Sequence, residues 1–66
     1  MKLEINGEVR VIPLSVTVLE VLVSLGVNLE SVAVELNRHI LRREDWRRTP
    51  IRDSDQVEIV RFGSGG

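Results

Sequence analysis

An Asn6-Gly7 pair near the start of the chain separates two short runs in which apolar and polar residues alternate. Alternation with a period of two indicates strands that bury one face, here Met1 to Ile5 and then Glu8 to Ile12. Asn-Gly readily adopts the positive φ angles of a type I′ turn, whose twist suits an antiparallel pair of strands. The chain therefore opens on a predicted hairpin, and Pro13 should end its second strand because proline cannot donate to a sheet ladder.

A short helix is predicted after the hairpin. Thr17 and Glu20 have the spacing of a capping box, so the helix should begin at Val18. Gly26 supplies a left-handed stop. The apolar side chains fall on one stripe that would face a sheet: Val18, Val21, Leu22 and Leu25.

Three further strands are predicted in the second half of the chain. Val32 to Leu36 is a mostly apolar run of strand length, consistent with a central strand. Asn37-Arg38 is then a predicted turn, and His39 to Leu41 a short returning strand. The last strand should run from Gln56 to Phe62.

The segments between these strands are less regular. Arg42 to Thr49 is too polar and irregular to predict a helix or strand, and Asp53 to Asp55 is typical of a turn. Trp46 is the only large ring available to a small core, and we expect it to hold the Arg42 to Thr49 segment over the sheet edge.

This order of elements predicts an α+β fold of the β-grasp type, with a mixed four- to five-stranded sheet packed on one short helix. The first and last strands should be parallel neighbours in the middle of the sheet. Residues 1–62 form the predicted single domain. Gly63 to Gly66 has no large side chain to pack and is predicted to be a flexible tail.

Composition narrows the possible functions. A chain of 66 residues has room for one modest core and not for a large enclosed active site. The chain has no cysteine, which excludes disulfides and thiolate chemistry. No apolar run approaches the roughly 18 residues needed to span a bilayer, and no signal-peptide pattern opens the chain, so we expect a cytoplasmic protein without a membrane partner.

The charged and titratable residues do not predict a nucleic-acid, metal or catalytic site. Arg42, Arg43, Arg47 and Arg48 could form a nucleic-acid patch, but Glu44 and Asp45 interrupt them and only one aromatic accompanies them, which favours a solvated face or a partner-docking patch. His39 has no second histidine to complete a metal site. No pair of carboxylates lies in a context that predicts acid–base catalysis, so we do not expect an enzyme.

Three segments together resemble the sulfur carrier proteins of thiamine thiazole biosynthesis, a ubiquitin-like family. The first is the hairpin around Asn6-Gly7. The second is the run from Val32 to Asn37, followed by Arg43 and Trp46 and then by Thr49-Pro50-Ile51 and Asp53 to Val60. The third is the terminal Gly65-Gly66. The resemblance covers essentially the whole chain. The sequence departs from the family pattern at Arg38, where relatives often have glycine after the turn asparagine, and at Ser64, where they tend to have another glycine.

The resemblance implies a function for the tail. In that family a ubiquitin-activating-like adenylyltransferase uses ATP and magnesium to adenylate the terminal carboxylate, here that of Gly66. A sulfur donor of the cysteine desulfurase or rhodanese type then leads to a thiocarboxylate, which thiazole synthase consumes. The carrier itself binds no cofactor and no metal. Gly63, Ser64 and Gly65 would thread the partner's active site. Glycine suits such a tail because a Cβ would clash in a narrow passage and a fixed φ preference would hinder entry.

The globular body would dock outside that active site. The side chains of Val60 and Phe62, which alternate with Arg61 on the last strand, should form the apolar docking surface.

Three alternatives stay open at this point. The chain could be a carrier of the molybdopterin synthase small-subunit or tRNA-thiolation type, which shares the fold and the tail. It could be a non-catalytic ubiquitin-like binding module whose tail is never modified. Isopeptide conjugation to lysines, as in ubiquitin, is a third possibility.

Overall fold

The chain forms one five-stranded mixed sheet with a helix packed across one face. The structure is a computed structural model that describes residues 1–12 and 16–63. In chain order the strands and the helix are β1 Lys2–Ile5, β2 Glu8–Val11, α1 Val18–Leu25, β3 Val32–Leu36, β4 His39–Leu41 and β5 Asp55–Arg61. The spatial order of the strands is β2-β1-β5-β3-β4.

The sheet confirms the predicted β-grasp arrangement. β1 and β5 are parallel neighbours, while β1–β2, β3–β4 and β3–β5 are antiparallel. The strand ends differ slightly from those expected. β2 ends at Val11, and β5 begins at Asp55 and ends at Arg61. The predicted strand end at Pro13 lies outside the described residues.

The helix α1 has the predicted ends. The Thr17 hydroxyl accepts a hydrogen bond from the Glu20 backbone N–H at 3.2 Å, and the Glu20 carboxylate accepts one from the Thr17 N–H at 2.7 Å. Gly26 ends the helix with φ at 73°. Because an isolated helix of eight residues is unstable in water, its buried stripe against the sheet must stabilise it. No helix in the described part of the chain has the length and apolar content to cross a membrane.

The core is aliphatic except for one indole. Trp46 is buried, and its Nε1–H donates to the Leu41 carbonyl at 3.2 Å, so the buried ring has its one donor satisfied. No polar or charged residue is buried among those described. The buried core residues are Leu3, Ile5, Val18, Val21, Leu22, Val32, Val34, Trp46, Ile51 and Val57.

The expectation of an irregular segment from Arg42 to Thr49 was wrong. Arg43–Arg48 is a 3₁₀ helix. The Asp45 N–H donates to the Arg42 carbonyl at 2.9 Å, and the Thr49 hydroxyl donates to the Asp45 carbonyl at 2.6 Å. Only Trp46 anchors this helix in the core, so it has no apolar periodicity by which the sequence could reveal it. A second 3₁₀ turn, Leu29–Ser31, was also missed.

Both hairpins turn through pairs of residues with positive φ. Asn6 and Gly7 have φ of 51° and 84°, as predicted for a type I′ turn. Asn37 and Arg38 have φ of 52° and 70°. The second turn therefore has the left-handed geometry that glycine would adopt freely, and Arg38 adopts it at a cost of roughly 1–2 kcal/mol.

The two turn asparagines also bind β5, from opposite sides. Asn6 continues the β1 side of the ladder: its Oδ1 accepts from the Ile59 N–H at 2.7 Å, and its Nδ2 donates to the Ile59 carbonyl at 3.4 Å. On the β3 side, Asn37 Oδ1 accepts from the Gln56 N–H at 2.9 Å, and Asn37 Nδ2 donates to Asp55 Oδ1 at 2.9 Å. Each asparagine thus shapes its own turn and holds the last strand.

Replacing Arg38 with glycine should stabilise the domain. Arg38→Gly relieves the left-handed strain, and the free energy of unfolding should rise by about 0.5–1 kcal/mol in urea titration, since greater freedom of glycine in the unfolded chain offsets part of the gain. The matched change is Gly7→Ala, where an added Cβ would contact nothing within 4 Å, so only backbone strain changes. That variant should be less stable. Equal stabilities for Arg38→Gly and the parent would contradict the assignment of strain.

Replacing Asn6 with glycine should weaken the attachment of β5. Asn6→Gly keeps the positive φ but removes both side-chain bonds to Ile59, and we expect a loss of about 1–2 kcal/mol. Native-state hydrogen exchange should show the Ile59 amide exchanging faster relative to the Val60 amide, because Val60 is paired with Ala33 of β3. Unchanged protection of Ile59 would show that the side chain of Asn6 does not hold β5.

Candidate functional site

The last described residues follow directly from the central strand of the sheet. The Phe62 N–H donates to the Ser31 carbonyl at 2.8 Å, which ties the chain to the 3₁₀ turn Leu29–Ser31 one residue beyond β5. Gly63 then turns with φ of 75°. The remaining predicted site residues, Ser64, Gly65 and Gly66, lie outside the described residues. The fold therefore fixes the point from which the tail starts.

β5 extends beyond its neighbour β1. The register pairs Leu3 with Asp55 and Ile5 with Val57, after which β1 turns away into the hairpin. The side chain of Asn6 carries the hydrogen bonding one step further, to Ile59. β3 continues alongside β5 as far as the pairing of Val32 with Arg61. The end of β5 is thus held mainly from the β3 side.

The outer face of β5 presents an apolar pair beside the tail. Val57 is buried and Ile59 half-buried on the helix side. Val60 is 50% exposed, and Phe62, just after the strand, is 48% exposed. The exposure expected for these two side chains is therefore present. We call Val60 and Phe62 the tail patch.

Acidic side chains border the tail patch on the open face of the sheet. Glu58 on β5 is directly opposite Glu35 on β3, and Glu4 on β1 is opposite Gln56. Like charges directly opposite each other on neighbouring strands destabilise a sheet slightly. The open face thus combines an apolar end with an acidic middle, a pattern that suits a partner surface on which a basic area lies next to an apolar one.

The structure also shows the surroundings of His39 and Trp46, which the sequence analysis considered. His39 is exposed, and its Nδ1 lies 3.0 Å from the Asn37 carbonyl oxygen. Among residues 1–12 and 16–63, no three histidine, aspartate or glutamate side chains are close enough together to hold a metal ion. Trp46 is buried under the Arg43 guanidinium, whose carbon is 5.0 Å from the ring centroid. The hydrogen bonds from Asn6 and Asn37 to β5 were not foreseen; the only sequence signal for them is an asparagine at the first position of each turn.

A family model describes nearly the whole chain: the ThiS family model matches residues 3–66. The sulfur carrier protein ThiS of Thermus thermophilus is 43% identical over 63 residues, which cover 94% of this chain and 95% of that protein. Two proteins named thiazole synthase also match over the full chain, at 44% identity in Paramagnetospirillum magneticum and 35% in Magnetococcus marinus. The chain spans about a fifth of the length of these two relatives, 20% in each case.

Solved structures agree with the fold. The crystal structure of the thiamine biosynthesis protein ThiS from Geobacter metallireducens is 39% identical and superposes with a TM-score of 0.88, covering all of both chains. A solution structure of a thiamine biosynthesis protein from the same organism has a TM-score of 0.83 and is covered to 88%. Family model, relatives and solved structures all match along essentially the full length of the sequence, and the chain therefore belongs to the ThiS family.

Proposed function

We propose that this chain is a sulfur carrier in thiamine biosynthesis that carries sulfur as a thiocarboxylate on Gly66. The observation that carries the proposal is the match along almost the whole of both chains to a protein named as a sulfur carrier. The described start of the tail agrees with this role. Gly63 comes shortly after the central strand, and the exposed tail patch immediately precedes it.

The chemistry requires activation by a partner. A carboxylate is a poor electrophile, so it must be activated before sulfur can attack it. In the partner's active site, the carboxylate oxygen attacks the α-phosphate of ATP, and magnesium pyrophosphate leaves. The resulting acyl adenylate is attacked at its carbonyl carbon by hydrosulfide, which displaces AMP and leaves the thiocarboxylate directly. A persulfide donor gives an acyl disulfide instead, and a thiol then reduces it, releasing the thiocarboxylate and forming a disulfide with the donor. The thiocarboxylate that is finally formed is a soft nucleophile at neutral pH. The carrier supplies the carboxylate, the tail and the docking surface, and the partner enzymes do the catalysis.

The tail suits entry into a narrow site. Four residues, Gly63 to Gly66, reach about 13 Å when extended at roughly 3.3 Å each. Three of the four lack a Cβ, so a closely fitting channel can accept the backbone. Docking through the tail patch would then leave the domain outside while Gly66 reaches the nucleotide.

Thiazole synthase is the proposed sulfur acceptor. A stretch similar to this chain occurs within two proteins named thiazole synthase, which supports a working relation between the two. Joining two partners in one polypeptide raises their effective concentration, which is useful when the separate contact is weak. We therefore propose that this chain docks reversibly on a thiazole synthase.

Intact-mass spectrometry tests the sulfur-carrier proposal. After incubation with the adenylyltransferase, ATP, magnesium and a sulfur source, the mass of the chain should rise by the difference between sulfur and oxygen. Thiazole synthase should then consume the modified chain, while a molybdopterin synthase large subunit should not.

The matched variant for this experiment is the chain lacking Gly66, with its folding checked by circular dichroism. This variant should acquire no sulfur. If the parent chain acquires neither an adenylate nor sulfur, the proposal is wrong and a binding module becomes the better reading. If only the molybdopterin synthase subunit consumes the product, the pathway is wrong while the carrier role stands.

Truncation of Phe62 should weaken docking more than folding. Phe62→Ala removes an exposed ring from the tail patch, and loss of a central apolar anchor typically weakens binding about tenfold or more. Affinity for the adenylyltransferase is measured by isothermal titration calorimetry, and stability by urea titration. Val23→Ala is the control, since Val23 is 59% exposed on α1, across the sheet from the tail patch. Equal affinities of the two variants would show that Phe62 is not part of the docking surface.

A further inference from the structure

A groove with an arginine rim lies on the helix side of the sheet, away from the open face. It runs between α1 and the 3₁₀ helix Arg43–Arg48 and is an open depression of about 360 Å³, a volume within the range of small-ligand sites. Its apolar lining comes from Leu19, Leu29 and Trp46. Its charged lining comes from Arg43, Glu44, Arg47 and Arg48. We call this the arginine groove.

Arg43 is held in place within the groove. Its Nη1 donates to the Leu29 carbonyl at 2.7 Å, and its guanidinium lies over the Trp46 ring at 5.0 Å. A guanidinium carries five N–H donors, so these two contacts leave donors for an incoming carboxylate. The arginine is pre-ordered, which lowers the entropy lost when it binds an anion.

The other arginines of this segment form only weak ion pairs with carboxylates of the chain itself. Arg42 pairs with Glu44 at 2.9 Å and Arg48 with Asp45 at 3.6 Å. The arginine side chains of these pairs are 75% and 67% exposed, and such solvated pairs contribute little stability. Arg47 forms no ion pair within the part of the chain that the structure describes. A partner's carboxylates can therefore bind these arginines at little cost to the fold.

We propose that the arginine groove binds a short acidic peptide segment of a partner protein, with an apolar side chain of that segment packed on Leu19 and Leu29. Carboxylates on either side of the apolar side chain would bind Arg43, Arg47 and Arg48, since guanidinium and carboxylate match in bidentate geometry. This site goes beyond the sulfur-carrier role, because neither Gly66 nor the tail patch takes part in it.

Nucleic acid fits this groove less well. Binding of single strands relies on aromatic rings that stack on bases. The only aromatic residue here is Trp46, which is 4% exposed and already covered by Arg43. The open face of the sheet is acidic, with Glu4, Glu35 and Glu58, and would repel a long polyanion.

The position of the groove suits a partner that also receives the tail. Leu29 and Ser31 belong to the same 3₁₀ turn. The Leu29 carbonyl binds Arg43 of the groove, while the Ser31 carbonyl binds the N–H of Phe62 at the start of the tail. The groove and Phe62 are therefore joined to the same short turn, and a single partner can contact both the groove and the point where the tail begins.

The fluorescence of Trp46 provides a direct test, because it is the only tryptophan in the chain. The probe is a short peptide in which aspartates flank a leucine–phenylalanine pair. The control peptide has asparagine in place of every aspartate. Titration with the acidic peptide should change the Trp46 emission and reach saturation with a dissociation constant below about 1 mM, as expected of a weak exposed site. Added salt should weaken the binding of the peptide. The asparagine peptide should bind at least fivefold more weakly.

Charge reversal provides the matched variants. Arg47→Glu should weaken the acidic peptide about fivefold or more, while Arg10→Glu, which reverses an exposed arginine on β2, should leave the affinity within about twofold. Circular dichroism confirms that both variants are folded. A chain that ends at Gly63 should bind the peptide as the parent does, so this result is independent of the tail chemistry. Equal effects of the two reversals, equal binding of the two peptides, or tighter binding of a single-stranded oligonucleotide would each overturn the proposal.

Discussion

The central position of β5 is the constraint on which the rest of the structure depends. A strand at the centre of a sheet must satisfy its backbone groups on both edges, and here the partners come from the first and the third strands of the chain. Since β1 turns away before β5 ends, the Asn6 amide takes the place of a strand beside Ile59. The sheet can close only after the intervening chain is available, because its central pairing joins two strands that are far apart in the sequence.

The sequence predicted the features that depend on near neighbours. The Asn6-Gly7 turn, the Thr17–Glu20 capping box and the Gly26 stop each involve residues at most a few positions apart, and the structure confirms all three. Strand alternation likewise predicted that Val60 and Phe62 would lie on one exposed face, and both side chains are about half exposed. The parallel pairing of β1 and β5 followed from the order of the elements and not from any local signal.

Features that join distant parts of the chain could not be predicted in this way. The Asn6–Ile59 bonds join residues 53 positions apart, and the bond from Arg43 to Leu29 crosses 14 positions. The 3₁₀ helix Arg43–Arg48 has one apolar residue in the core, so its formation depends on the place that the sheet and α1 leave for Trp46. The arginine groove arises from this arrangement, and for that reason the sequence showed a basic cluster and not a concave site.

The single bond between the Phe62 N–H and the Ser31 carbonyl also sets a boundary. Up to that bond the backbone belongs to a cooperative sheet, and drawing out even one more residue would require breaking sheet pairing. The tail is therefore attached to the folded body at a fixed point. In the proposed sulfur-carrier role, this attachment point determines how far the terminal carboxylate extends into a partner's active site, and a carrier with a longer or shorter tail would place that carboxylate at a different depth.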